Sequence, residues 1–268
     1  MIEQARAHVL EKLNELDGVV GLRQTGADIA PYLFREGDDL LQMVLEPRYP
    51  LASVVSFLQK QYPQARFGIV ARGCDERALI EMAKRNQIDP NRLYLLGITC
   101  TSEQAEECYC DSPAPDPEGW PDAVVIGEPT AGAPPNPMVA QYESLPLEER
   151  WSFWRSQFLK CIKCFGCRNI CPVCFCEACA LEDPLWVEPG LLVPDFPTFH
   201  LIKAIHMTSR CVGCRQCELA CPANIPLTVL YDLLRRDIGE LMGYVPGADL
   251  EMKPPILLTL SDAPIKLE

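Results

Sequence analysis

Histidine is scarce: three in 268 residues, at positions 8, 200 and 206. General acid–base catalysis most often uses that side chain, and no nucleophile stands with a base at hand, so all three are expected to be structural. His206 is also placed to donate a hydrogen bond to a nearby metal centre. The glycines at 18, 21 and 26 do not space as Gly-x-Gly-x-x-Gly, and no phosphate loop ending in Gly-Lys-Ser/Thr is present. Dinucleotide and ATP fingerprints are therefore missing, which leaves open a flavin held without such a motif. No apolar run reaches the roughly 18–20 residues that a membrane span needs. The opening MIEQARAHVLEKLNEL is a charged amphipathic helix rather than a secretion signal, and a cytoplasmic location is expected. Basic residues are outnumbered, 24 against 37 acidic ones for a net charge of −13. Residues 1–150 hold 13 Lys/Arg against 24 Asp/Glu, and 151–268 hold 11 against 13. Nucleic-acid binding normally needs a basic stripe. Here the only concentrated cations, Lys160, Lys163, Arg168, Arg210 and Arg215, flank cysteines and are expected to offset a local negative charge.

Cysteine is abundant. Of 15, eleven fall between 161 and 221. With no export signal and with C-x-x-C spacing, metal binding is a better use for them than disulfides. Eight make two copies of C-x2-C-x2-C-x3-C-P: Cys161, Cys164, Cys167, Cys171 with Pro172, and Cys211, Cys214, Cys217, Cys221 with Pro222. In this spacing a short loop wraps three thiolates round one face of a 4Fe-4S cubane and the fourth cysteine ligates the other cluster. Two 4Fe-4S clusters with crossed ligation are expected, one on Cys161, Cys164, Cys167 and Cys221, the other on Cys211, Cys214, Cys217 and Cys171. Zinc also accepts four cysteines, but in two pairs per ion, a pattern this spacing does not follow. Seven cysteines remain: Cys74, Cys100, Cys108, Cys110, Cys174, Cys176 and Cys179. They suffice for a third cluster or a zinc ion, for example from Cys100, Cys108 and Cys110 with members of the 174–179 group. Buried free thiols are the other use.

Along the chain, Ala5, Val9, Leu13 and Leu16 give residues 2–16 one apolar helical face. Strands are expected at 40–45, 66–71 and 93–98. Between the last two, Asp75 is expected to cap a helix over 76–86 and Asp89-Pro90-Asn91 to turn the chain, which makes a parallel βαβ unit. Proline-rich stretches at 111–122 and 128–137 mark a boundary. The fold expected is an α/β domain over 1–140 and an α-rich, dicluster ferredoxin-like domain over 141–268. The latter opens with a helix over 147–160 that presents Trp151, Trp154 and Phe158 on one face. A helix over Leu227–Met242, with Leu230, Leu233, Leu234, Ile238 and Leu241 on its apolar side, and the tail 254–268 either cover the cluster domain or dock a neighbour.

Two stretches carry a resemblance. GIVARGCDERALIEMAKRNQI and the strand ending in Gly97-Ile98-Thr99-Cys100 are similar to the Gly-x-Pro-Cys-x-x-x-Ala-Leu turn and helix of the beta subunits of deazaflavin-reducing hydrogenases and formate dehydrogenases, which are iron–sulfur flavoproteins. Arg72-Gly73 stands where that family has Thr-Pro. RCVGCRQCELACPANIPLTVLYDLLRRDIGELMGY resembles the dicluster ferredoxin modules of heterodisulfide-reductase-type electron-transfer subunits. The resemblance implies FAD and reaction with a deazaflavin, although no flavin-binding residue carries over to a position here. It also implies partners: a formate dehydrogenase or hydrogenase catalytic subunit and a heterodisulfide-reductase-like flavoprotein. The expected function is that of an iron–sulfur electron-transfer subunit of an anaerobic oxidoreductase complex, with the bond chemistry done by a partner. Two alternatives are a flavin-dependent oxidoreductase acting itself on a deazaflavin or nicotinamide, and a zinc-stabilised interaction scaffold.

Overall fold

The computed structural model describes residues 1–120, 122–176, 179, 183–185 and 198–255; the end of the 254–268 tail lies outside them. In chain order the elements begin with α1 (Ile2–Lys12), β1 (Gly18–Thr25), β2 (Asp28–Phe34), β3 (Met43–Val44), α2 (Ala52–Gln61), β4 (Phe67–Ala71), α3 (Gly73–Ala83), β5 (Leu93–Ile98), α4 (Ser102–Cys108) and β6 (Val124–Ile126). Six helices follow: α5 (Pro137–Glu143), α6 (Leu147–Phe158), α7 (Gly166–Asn169), α8 (Thr198–Met207), α9 (Gln216–Leu219) and α10 (Leu227–Met242). An α/β sheet region thus precedes a helical region.

The described strands form one sheet in the order β2-β1-β4-β5-β6, with β3 paired to part of β1. β1, β4, β5 and β6 are parallel, while β2 and β3 run antiparallel to β1. β4 (FGIVA) and β5 (LYLLGI) are buried at every residue, as strands covered on both faces must be. On one face Val70, Tyr94, Leu96 and Ile98 meet Ala5, Val9 and Leu13 of α1. On the other, Phe67, Ile69, Leu93 and Leu95 share a core with α2, with Ala78, Leu79 and Met82 of α3, and with Trp154, Phe158, Phe199 and Tyr231 of the cysteine-rich half. The two halves therefore share one apolar core.

Helix α3 is the link between them, and its buried polar residues each find partners. Glu81 accepts from the Tyr244 hydroxyl at 2.6 Å and Gly247 N–H at 2.7 Å and pairs with Arg85 and Lys84. Arg85 donates to Ser209 O at 2.9 Å, and Trp120 Nε1 donates to Glu76 at 3.1 Å.

Several expectations shift. The strand expected at 40–45 is a 3-10 turn, Leu40–Gln42, before the two-residue β3, because the Asp39 carboxylate accepts from Leu41 N–H at 3.0 Å and holds the turn. The helix expected from 76 starts at Gly73. Asp75 lies inside it, its carboxylate accepting from Arg72 N–H at 3.1 Å and Leu51 N–H at 2.9 Å. The β1–β2 hairpin went unread; its turn is signalled by Gly26, at φ +63°. Trp151 is 56% exposed and Leu241 67% exposed, while Trp154, Phe158 and Ile238 are buried, so each of the two helical faces is narrower than its apolar residues suggest.

His200 of α8 is buried, stacked on Phe158 with ring centroids 4.4 Å apart, and neither ring nitrogen has a partner among the described residues. Burial, with repulsion from Lys203 added, pushes its pKa down to about 4. An unfolded histidine titrates near ~6.5. Between those values the unfolded chain binds a proton that the folded one refuses, so stability is present above pH 6.5 and is lost as pH falls. The expected loss is about 2 kcal/mol on going from pH 7 to pH 5. Thermal unfolding of the wild type and His200→Phe at both pH values checks this: the variant should lack that component, and an identical pH dependence would count against it.

Candidate metal centres

None of the 15 cysteines is in a disulfide, which leaves every thiol available for metal. Helix α6 delivers the chain to Cys161, and the two motifs then fold alike. Lys163 and Phe165 in the first loop have positive φ, 53° and 56°, and Gly213 and Arg215 at the same offsets in the second have 67° and 61°. The short helices α7 and α9 follow at equivalent positions, with matching bonds: Arg168 N–H to Phe165 O, and Glu218 N–H to Arg215 O. Left-handed backbone at non-glycine residues costs on the order of 1–3 kcal/mol, so holding it three times over points to a geometric demand of the loop. That demand is visible at the sulfurs. The backbone of Lys163 lies by Cys161 and that of Gly213 by Cys211, and each favours the thiolate. The two loops face one another: α7 packs on α9, and a Cβ at Gly166 would lie 3.2 Å from Ala220 O and 3.5 Å from Cys164 Sγ.

The thiols sort into two groups across the motifs. Cys161 and Cys167 have Cys164 and Cys221 as electrostatic neighbours. Cys211, Cys214 and Cys217 have Cys171, and Cys217 also has Cys167. The second group rings a pocket lined also by Lys203, Met207 and Tyr231. Burial pushes Cys167 and Cys211 up to about 11 and Cys214 and Cys217 well above the ordinary thiol. Such thiols are poor nucleophiles, and metal ligation is what removes their protons. Among the described residues no three His, Cys, Asp or Glu side chains converge on a point that would hold a single ion. Zinc needs its donors about 2.3 Å from one centre, whereas the thiolates of a cubane sit on separate irons.

Two polar groups that sequence reasoning missed face these sulfurs. Lys203 is 3% exposed. Burial alone would lower its pKa, but Cys171, Cys174, Cys167 and Cys217 raise it above the ordinary lysine value, so it carries its charge between the two groups. The Tyr231 hydroxyl is buried without a partner among the described residues, with Cys217, Cys167, Cys171 and Cys211 around it. An orphaned donor and a cation aimed at one ring of sulfurs fit an anionic cluster. Neither residue belongs to a motif; only the helical period of α8 and α10 relative to the cysteines could have pointed to them. His206, expected near a cluster, is exposed, and the face of α8 turned inward carries Lys203 and Met207 instead.

The remaining cysteines divide. Cys174 lies beside Cys171, Cys176, Cys179 and Lys203. Cys100, Cys108 and Cys110 do not join them; they line a separate pocket with Cys74.

A family model described as a 4Fe-4S binding domain matches residues 204–226, which contain the whole second motif. The chain is 36% identical over 120 residues to the F420-dependent formate dehydrogenase subunit beta of Methanocaldococcus jannaschii, and 35% identical over 122 residues to the F420-dependent formate dehydrogenase 1 subunit beta of Methanococcus maripaludis. Each match takes in 44% of this chain and about a third of the relative's length, 32% and 31%. Among the described residues no helix is long and apolar enough to cross a membrane. Over part of its length, then, this chain is similar to beta subunits of F420-dependent formate dehydrogenases, the resemblance its sequence carries, and it contains a 4Fe-4S binding segment.

Proposed function

We propose that this chain is an iron–sulfur electron-transfer subunit of an oxidoreductase complex. It would hold one 4Fe-4S cluster on Cys161, Cys164, Cys167 and Cys221 and another on Cys211, Cys214, Cys217 and Cys171. The observation that carries the reading is the loop fold used twice, with each fourth cysteine grouped with the opposite motif. When bound, a cubane exchanges single electrons at potentials between about −700 and +450 mV. The residues of the chain set where in that range it operates. Backbone N–H groups and the Tyr231 hydroxyl stabilise negative sulfur, Lys203 offsets charge between the sites, and the apolar core excludes water. In this reading bond chemistry belongs to a partner. The relatives are named as subunits of formate dehydrogenase, which supports a catalytic subunit of that kind as electron donor or acceptor. A hydrogenase subunit or a heterodisulfide-reductase-like flavoprotein follows from the sequence resemblance.

The test is how the chain accepts electrons. Purified anaerobically, it is expected to be free of flavin, to be bleached by a one-electron donor, and to ignore a reduced deazaflavin or nicotinamide until a flavoprotein is added. Stoichiometric flavin with direct reduction by either hydride donor would instead make the chain an enzyme.

A further inference from the structure

The carboxyl ends of the parallel strands carry a cysteine group that the two repeated motifs do not use. Cys74 lies in the first turn of α3 just after β4, Cys100 follows β5, and Cys108 and Cys110 lie at and after the end of α4. This is the edge at which open α/β sheets bind ligands. All four line one pocket, as Cys171, Cys211, Cys214 and Cys217 line another. The two spaces share Gly213 and Cys214 as a wall, and Cys74 is an electrostatic neighbour of Cys214 as well as of Cys100 and Cys110. The approach depends on Gly73: a Cβ there would lie 2.6 Å from Ser112 O and 2.8 Å from Ala114 O, so only glycine lets the strand of chain after Cys110 close over Cys74.

Three arginines address the sulfurs. Arg72 Nη1 donates to Cys100 Sγ at 3.4 Å, Arg77 Nη2 to Cys110 Sγ at 3.5 Å, and Arg48 Nη1 to Cys108 Sγ. Arg77 is 9% exposed, and its other acceptors are the carbonyls of Ser112 at 2.9 Å and Val212 at 3.4 Å. Asp111 and Glu76 are also electrostatic neighbours of Arg77. A buried guanidinium needs acceptors or an anion, and Cys110 and Cys74 lead the negative groups around this one. Neutral thiols would not meet that need; thiolates on a metal centre would.

We propose that Cys74, Cys100, Cys108 and Cys110 hold a third 4Fe-4S cluster, next in line to the one on Cys171, Cys211, Cys214 and Cys217. On taking up a preformed 4Fe-4S cluster the four thiols release four protons to solvent, and no group changes oxidation state. A cluster is favoured over zinc because the shared wall makes this pocket a neighbour for single-electron exchange. The assignment of ligands stands on this pocket alone; its role as a relay rests on the reading of the two C-terminal motifs as clusters.

The experiment counts iron, acid-labile sulfide and zinc on the anaerobically purified full chain, on Cys110→Ala and on the half-buried Cys108→Ala, with Cys161→Ala as the marker for the first motif. The wild type is expected to hold about twelve irons and either N-terminal variant about eight, the paramagnetic signals of the C-terminal clusters staying as in the wild type. Should Cys110→Ala not fold, Cys108→Ala decides. Wild-type iron in the folded N-terminal variants overturns the proposal, and so does the loss of one zinc in place of four irons. Iron loss confined to Cys161→Ala sinks the third site alone, whereas full iron in Cys161→Ala sinks the C-terminal reading.

Discussion

Replacing Cys221 by alanine should empty the centre built on the first motif and leave the centre built on its own motif in place. The reason is the proposed crossing: Cys221 neighbours Cys161 and Cys167, and Cys171 neighbours Cys211, Cys214 and Cys217. Starting from a chain in which Cys161, Cys164 and Cys167 are all alanine, which has lost about four irons, adding Cys221→Ala should cost no further iron. Adding Cys171→Ala to the same background should cost about four more. Iron and sulfide counts on the three chains decide it. Loss of the second centre on adding Cys221→Ala would mean that each motif ligates its own cluster.

The second large effect is expected at Lys203, the buried cation beside Cys171, Cys174, Cys167 and Cys217. An added electron is stabilised by a nearby positive charge. A unit charge about 8 Å away is worth ~2 kcal/mol at an effective dielectric of about 20, on the order of 90 mV for one electron. Lys203→Met should therefore lower the midpoint potentials of both C-terminal clusters by roughly that much, with Lys203→Arg close to the wild type. Redox titration followed by paramagnetic resonance measures it. Unchanged potentials in Lys203→Met would show that the charge is offset elsewhere.

The elements that stood out in the sequence are those whose signal is local. Burial on both faces makes β4 and β5 unbroken apolar runs, and the helix Leu227–Met242 has its full period within one segment. The C-x-x-C repeats carry their loop geometry in a dozen residues each. What stayed hidden depends on residues far apart in sequence. Cys74 joins Cys100 only because β4 and β5 pair in parallel register and end at one edge. Lys203 acquires meaning only when α8 packs between the motifs. Asp75 has the sequence signature of an ordinary cap, and its carboxylate does bond a backbone N–H group, but from inside its helix, while Asp39 holds a turn where a strand was expected.

The most direct test of the central claim is the iron and acid-labile sulfide content of the anaerobically purified chain, with zinc counted alongside and low-temperature paramagnetic resonance after reduction. Iron and sulfide in equal numbers, at about eight or more per chain, with signals of reduced cubanes, is the expected result. Zinc in place of iron, with no signal on reduction, would contradict it.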